Sequence, residues 1–440
     1  MKPAVSSEFD PTHSLFGWQR QNAVAAPLVE RAEHIYFWDI DGKRYADFCS
    51  GQMNVNVGYG HPHILAAMRR QMEKLTYIAP NFPTEARLRL ATMVTECAPP
   101  GLNHVFFSNS GAEAVETAIK IVRAVTGRTR IYSGWQSYHG ATAGAAAVSG
   151  DPRRHYVEPA MPGTGKFLYP NCYRCPFGQS APPGCHFACL ASLHSQIVLD
   201  GPETVAAILL EPIVGTSGLY VPPPEFISGV RALCDEFGIL LIFDETMTGW
   251  GRTGKWFASE HFEVVPDIIT TAKGLTSGYV PLSATIVNQR IRDHFAERPL
   301  VAGVTTEAHT LACAAAIANI EVYRNEGLIE RSATEGAYLH ERLAAMKERH
   351  PCIGDVRGKG LFACIELTAD RAEKKPLAGY RNSHRDVATD FSRRLLAMGI
   401  FLVAKWDFIF LAPPLVITRC ELDEHLDLID RALNSLDELM

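Results

Sequence analysis

Two residues of this sequence have the types and settings for covalent chemistry on an aldehyde. Lys273 follows the run Asp267-Ile268-Ile269-Thr270-Thr271-Ala272, and Asp244 lies 29 positions earlier, behind Ile239-Leu240-Leu241-Ile242-Phe243. An ammonium at the end of an apolar run is poorly solvated, which disfavours its charge and leaves a nucleophilic amine. Such an amine condenses with an aldehyde to give an imine. Asp244 ends an unbroken hydrophobic stretch of the kind found in strands buried on both faces. Ligands of open α/β sheets gather at those carboxyl ends, where a carboxylate can keep a heteroaromatic ring nitrogen protonated. Each residue also has a plainer role: Lys273 as a strand-end lysine reaching for water, Asp244 as an ion-pair partner or helix cap.

A third feature is Phe106-Phe107-Ser108-Asn109-Ser110-Gly111-Ala112-Glu113-Ala114, where a short apolar run gives way to small residues; Val115, Ala118, Ile119, Val122 and Val125 then recur at helical spacing. Ser110, Gly111 and Ala112 therefore fall at a helix amino terminus, where free N–H groups and the positive end of the dipole receive a phosphate. The commoner use of such residues is a simple N-cap by Ser108, Asn109 or Ser110. A fourth is Ser137-Tyr138-His139-Gly140, soon after an expected strand over 130–133. Its tyrosine ring could stack on a flat heteroaromatic ligand or be a partly buried surface residue. An imine-forming lysine, a ring-nitrogen carboxylate, a phosphate cradle and a stacking ring are together what pyridoxal 5'-phosphate requires.

In this combination and order the chain resembles the class III, or omega, aminotransferases of the fold-type I pyridoxal phosphate enzymes. The resemblance runs from the hairpin Tyr36-Phe37-Trp38-Asp39-Ile40-Asp41-Gly42-Lys43 and Val55-Asn56-Val57-Gly58-Tyr59-Gly60-His61-Pro62, through Asp244-Glu245, Gly249-Trp250-Gly251-Arg252-Thr253-Gly254 and Lys273-Gly274, to Leu411-Ala412-Pro413-Pro414-Leu415. It implies two catalytic residues. Lys273 forms the Schiff base and shuttles a proton between substrate Cα and the cofactor's C4′; Asp244 pairs with the pyridinium nitrogen. It further implies that Tyr138, beside His139, stacks on the cofactor, that Ser110, Gly111 and Ala112 cradle its phosphate, and that Glu211 in Leu209-Leu210-Glu211-Pro212 stands near the substrate. Thr305 is expected to reach the phosphate bound by the other subunit, which makes the protein a homodimer.

Four departures from the family pattern bear on the site. Thr246 and Met247 stand where valine and often glutamine follow Asp-Glu. The threonine methyl can still pack on the ring, whereas Met247 cannot donate to the cofactor's phenolic oxygen. Ala112 replaces a common serine, removing one hydroxyl donor but no backbone N–H. Val403 replaces an arginine that in many relatives holds the substrate carboxylate, leaving Lys405, Arg20 and Arg154 as candidate cations. The pattern looks most like enzymes that pass an amino group from an omega-amino acid, a taurine-like compound or an amine to a 2-oxo acid, pyruvate foremost. An aminomutase or decarboxylase of the same fold is the alternative. A non-catalytic scaffold would need no pyridinium carboxylate, and no Gly-x-Gly-x-x-Gly turn suits a nicotinamide dehydrogenase.

These side chains must be positioned by alternating strands and helices: strands over 130–133, 206–210, 239–243 and 267–272, with helices after Ser110 and over 224–237. Such alternation predicts an α/β fold with a mainly parallel, seven-stranded-type sheet covered by helices on both faces. A smaller α+β domain is expected from both chain ends: residues 1–65 and 331–440 around a large cofactor-binding domain over 66–330. A further strand is expected near Val356-Arg357-Gly358-Lys359-Gly360-Leu361, and a final helix begins at a capping box of Thr418 and Glu421.

At 440 residues and 47% hydrophobic residues the chain can bury such a two-part core. A net charge of −6 gives no basic footprint for nucleic acid. With no signal peptide and no apolar run near ~20 residues, no membrane association and a cytoplasmic location are expected. Among 11 cysteines, Cys172, Cys175, Cys185 and Cys189 form two close pairs that could hold zinc. Ordinary reduced loop thiols are favoured, and no metal is expected.

Overall fold

In the computed structural model, which describes residues 13–21, 26–179, 182, 184–379 and 387–439, the aliphatic runs become a central sheet. Its seven strands lie in the order Leu102–Ser108, Ser283–Asn288, Ile268–Thr271, Leu240–Asp244, Val205–Leu210, Arg130–Gly134, Thr164–Phe167. Every neighbouring pair is parallel except that Ser283–Asn288 runs antiparallel to both its neighbours.

The uninterrupted hydrophobicity of the middle strands follows from cover on both faces. Val205–Leu210 and Leu240–Asp244 are buried at every position. Alternate residues serve opposite cores, Ile208, Leu210, Leu241 and Phe243 on one side, Ala207, Leu209, Leu240 and Ile242 on the other. Helix Gly111–Thr126 covers the second face with Val115, Ala118, Ile119 and Val122, and stops at Gly127, whose φ of +69° suits a residue without Cβ. Helix Pro224–Phe237 covers the first with Phe226, Ile227 and Val230.

Two strands escaped the sequence pattern. Thr164–Phe167 is a four-residue edge strand carrying Gly165 and Lys166, so it shows no apolar run. Ser283–Asn288 is buried along most of its length, yet its Ser and Thr residues mask that hydrophobicity.

The chain ends meet. A four-stranded sheet combines Val29–Glu33, Tyr36–Asp39 and Arg44–Asp47 with Ile400–Phe401, which pairs in parallel through Ile400 with Ala46 and Phe401 with Asp47. A five-stranded sheet contains Ile353–Lys359, Phe362–Asp370, Phe408–Leu411 and Val403–Lys405 along its main path. The last helix, Arg419–Asp437, has the expected capping box and buries Leu422, His425, Leu426 and Ile429. Among the described residues no helix is long and apolar enough to cross a membrane.

Candidate active site

The carboxyl ends of the central strands open onto a cavity of about 570 Å³. It is lined by Ser110, Gly111, Ala112, Tyr138, His139, Glu211, Asp244, Thr246, Met247 and Lys273, together with Trp18 and the stretch Gly140-Ala141-Thr142. Thr305 is not among the lining residues: it is exposed, and its carbonyl accepts a hydrogen bond from the Tyr77 hydroxyl at 2.9 Å.

Asp244 is the last residue of its strand and 4% exposed. Its Oδ2 lies 2.8 Å from His139 Nδ1, and its Oδ1 accepts the Thr246 N–H at 3.0 Å. Burial alone would raise its pKa, but the hydrogen bonds from His139 and Thr246 outweigh that and hold the carboxyl below its usual range. Sequence reasoning named His139 without its role; the partner stands 105 residues away and only the sheet brings them together.

Lys273 opens a single helical turn after strand Ile268–Thr271 with φ +43°, a left-handed conformation that few side-chain-bearing residues adopt. The neighbouring backbone fixes it. A Cβ on Gly274 would come within 2.5 Å of Asn56 Nδ2, and the Gly274 carbonyl accepts hydrogen bonds from Asn319 Nδ2 and the Tyr323 hydroxyl, each at 2.8 Å. Burial lowers the Lys273 ammonium from 10.5 to about 8, against the opposing pull of Asp244 and Glu211. The amine is thus available near neutral pH.

At the helix amino terminus Ser110 does act as the N-cap, its hydroxyl accepting the Glu113 N–H at 3.3 Å. The space in front of it depends on missing side chains. A Cβ on Gly111 would sit 3.1 Å from Thr246 Cγ2, and one on Gly140, at φ +140°, would collide with Ala112 Cβ at 2.5 Å. Behind the tyrosine loop, Glu211 accepts the Tyr138 N–H at 3.0 Å on Oε1 and the Gly215 N–H at 2.8 Å on Oε2. Burial pushes it up to about 7, helped by Asp244 and opposed by His139. Two buried polar atoms of this lining, His139 Nε2 and Thr246 Oγ1, have no hydrogen-bond partner among the described residues. The paired carboxylate, the buried amine, the open helix terminus and these atoms fit pyridoxal phosphate.

A second cavity of about 270 Å³ shares Trp18, Tyr138 and Lys273 with the first and adds Arg153, Thr216, Val403, Lys405 and Phe410 among its lining residues. Of the three candidate cations, only Lys405 is here. Arg154 turns away, donating to the Gly150 carbonyl at 2.8 Å and pairing with Glu158, and Arg20 is exposed and outside both cavities. Arg153, which sequence reasoning passed over, lies with its guanidinium 3.5 Å from the centre of the Tyr138 ring. The available signal was Asp151-Pro152-Arg153, in which Asp151 caps the turn Pro152–Val157 and folds the next arginine back onto itself.

Cys172, Cys175, Cys185 and Cys189 line a separate pocket of about 30 Å³ with Phe177 and Phe187. All four are free thiols, and among the described residues no group of three or more His, Cys, Asp or Glu is placed to hold a metal ion.

A family model described as aminotransferase class-III matches residues 18–433. A taurine–pyruvate aminotransferase of Bilophila wadsworthia is 36% identical over 96% of this chain and 94% of its own length. A leucine/methionine racemase of Thermococcus litoralis is also 36% identical, over 94% of this chain and 92% of its own. The crystal structure of a taurine:2-oxoglutarate aminotransferase from Bifidobacterium kashiwanohense, in complex with pyridoxal phosphate and glutamate, superposes with a TM-score of 0.95 at 38% identity, covering 100% of this chain and 99% of that one.

Proposed function

The chain belongs to the class-III aminotransferases, pyridoxal phosphate enzymes that move an amino group to a 2-oxo acid, and we propose that its donors are omega-amino acids, taurine-like compounds or amines and that its acceptor is pyruvate. The observation that carries the assignment of roles is a buried Lys273 amine and a buried, hydrogen-bonded Asp244 lining one cavity. Pyridoxal phosphate, when bound, supplies an aldehyde for the substrate amine and a ring that accepts the electron pair released at the substrate carbon.

Around that chemistry each residue has a defined task. Lys273 Nζ would hold the cofactor through its aldehyde and, as a free amine, would take the proton from the substrate carbon that bears nitrogen. Asp244, kept ionised by His139 and the Thr246 N–H, holds the proton on the ring nitrogen. The N–H groups at Gly111 and Ala112, with the Ser110 hydroxyl, receive the phosphate. Tyr138 would present its ring to the cofactor and Glu211 fixes the loop that carries it, while Thr246 and Met247 complete the lining.

In this reading the exposed Thr305, whose neighbour Thr306 donates to Asn109 Oδ1 at 3.1 Å beside the Ser110 turn, serves the phosphate of a partner subunit in a homodimer. The chain ends, 1–65 and 331–440, form the small domain in this reading, and 66–330 the large one. The sheet pairing of Ile400 with Ala46 supports that division.

The test is the absorption spectrum of the cofactor-loaded protein with a panel of donors and no acceptor. Conversion to the pyridoxamine form by a donor, reversed by pyruvate, is expected; 2-oxoglutarate serves as the competing acceptor. A Lys273→Ala protein that turned over at the wild-type rate would remove the lysine from the mechanism. Loss of carbon dioxide or formation of an isomer, with no amino transfer, would move the assignment to a decarboxylase or aminomutase.

A further inference from the structure

The 270 Å³ cavity beside Lys273 carries an excess of positive charge fixed in place by a single carboxylate. Asp151 is 1% exposed, and both of its oxygens are engaged. Oδ1 accepts the Arg153 N–H at 2.9 Å and Arg153 Nε at 2.8 Å, and Oδ2 accepts Lys405 Nζ at 2.9 Å and Arg153 Nη2 at 3.3 Å. Two cations therefore share one anion, and their side chains remain 26% and 31% exposed.

Both cations also lie against aromatic rings. The Arg153 guanidinium lies 3.5 Å from the centre of the Tyr138 ring and 5.0 Å from that of Trp18, and its Nη2 also reaches Thr216 Oγ1 at 3.4 Å. Lys405 Nζ lies 3.8 Å from the centre of a Trp406 ring. Lys405 and Val403 stand two apart on one strand and so on the same face, with Val403 and Phe410 giving the cavity an apolar wall. Arg153 is also close enough to Lys273 for its charge to help lower the lysine's pKa, so both ends of a short molecule can be served within one cavity.

We propose that Arg153 and Lys405, joined through Asp151, are the anion site of the substrate cavity, and that the preferred donors are short amino acids whose far end is a carboxylate or a sulfonate. This rests on the omega-amino donor assignment made above and narrows it. A neutral amine forgoes the charge-assisted hydrogen bonds, and a diamine brings a second ammonium against two cations, which excludes it by repulsion. Arg153 and Lys405 bind substrate in this scheme; Asp151 is a positioning residue.

Two measurements on the cofactor-loaded protein test it. In the first, conversion of the cofactor spectrum is followed without acceptor for taurine, 3-aminopropanoate, propylamine and putrescine. Arg153→Gln and Lys405→Met are each expected to lower the ratio of acid-donor to propylamine efficiency roughly 10- to 100-fold, mainly through KM. Lys405→Met matters because Lys405 stands on a different element, the strand Val403–Lys405, so a local folding fault in Arg153→Gln cannot imitate the result. In the second, calorimetry with ethanesulfonate or propanoate, which carry no amine and cannot react, is expected to show binding weakened by a similar factor in both variants. Taurine outperforming 3-aminopropanoate identifies a sulfonate site, and the reverse a carboxylate site. An unchanged ratio in both variants, or putrescine as the best donor, overturns the anion site. Failure of every donor with the wild-type protein instead overturns the donor assignment itself.

Discussion

If burial sets the reactivity of Lys273, shifting the pH of the cofactor-free protein should switch that reactivity on well below the range of an ordinary lysine. The ammonium is lowered from 10.5 to about 8, chiefly by desolvation, with Asp244 and Glu211 pulling the other way. At pH 7.5 a group titrating near 8 is roughly one-quarter neutral, and one titrating near 10.5 about one-thousandth, a gain of roughly 200-fold in free amine. The assay is borohydride trapping of an aldehyde on the cofactor-free protein from pH 6 to 10.5, with modification at Lys273 and at the exposed Lys74 quantified by peptide mass spectrometry. The Lys273 rate should rise with a midpoint near 8 and outrun that of Lys74 at neutral pH. Asp244→Asn removes a charge that opposes the shift, so the midpoint should move down. A Lys273 profile that tracks Lys74, or an upward move in Asp244→Asn, would refute the argument that burial dominates. The same shift has a stability consequence. The unfolded lysine binds its proton more tightly than the folded one, so the cofactor-free protein should gain up to about 3 kcal/mol as pH rises from about 8 to 10.5.

Three further outcomes are expected. His139→Ala leaves the buried Asp244 with only the Thr246 N–H, and the loss of about 1.5–3 kcal/mol should show as roughly 10- to 100-fold weaker cofactor retention on dialysis; retention equal to wild type would deny His139 its role. Ser110→Ala should lower the stability of the cofactor-free protein by about 1 kcal/mol in urea unfolding, with Ser110→Gly recovering most of it, since the hydroxyl caps the helix. Thr305→Ala removes an exposed side chain. It should change cofactor-free stability by less than about 0.5 kcal/mol yet weaken cofactor retention, and unchanged retention would eliminate the cross-subunit contact.

Much of the site was legible because its residues sit where periodic patterns stop. Asp244 and Lys273 each close an aliphatic run, and Ser110 stands where a strand gives way to a helix. Helix Pro224–Phe237 and the Thr418 capping box followed from proline, spacing and the capping residues themselves. Strand Ser283–Asn288 was not legible: its burial comes from neighbours on both sides, and hydroxyl residues hide it. The cations of the second cavity were legible only in part: Lys405 stood among the candidates, whereas Arg153 was passed over for its neighbour. Arg153 and Arg154 are adjacent in sequence, and only the cap at Asp151 and the Tyr138 ring decide which one turns into the cavity.

The union of the two chain ends also constrains how the protein is made. Ile400 and Phe401 pair with Ala46 and Asp47, and Lys43 Nζ holds the Ala397 carbonyl at 2.8 Å. On a ribosome the hairpin that ends at Asp47 therefore waits until Ile400 and Phe401 have emerged before its edge is covered. Closing so long a loop adds little to the equilibrium cost, which grows only logarithmically with length, but it places this step late. The substrate wall made by Val403, Lys405 and Phe410 arrives at the same moment. A nascent chain can assemble the cofactor cradle of the central sheet before it can select a substrate.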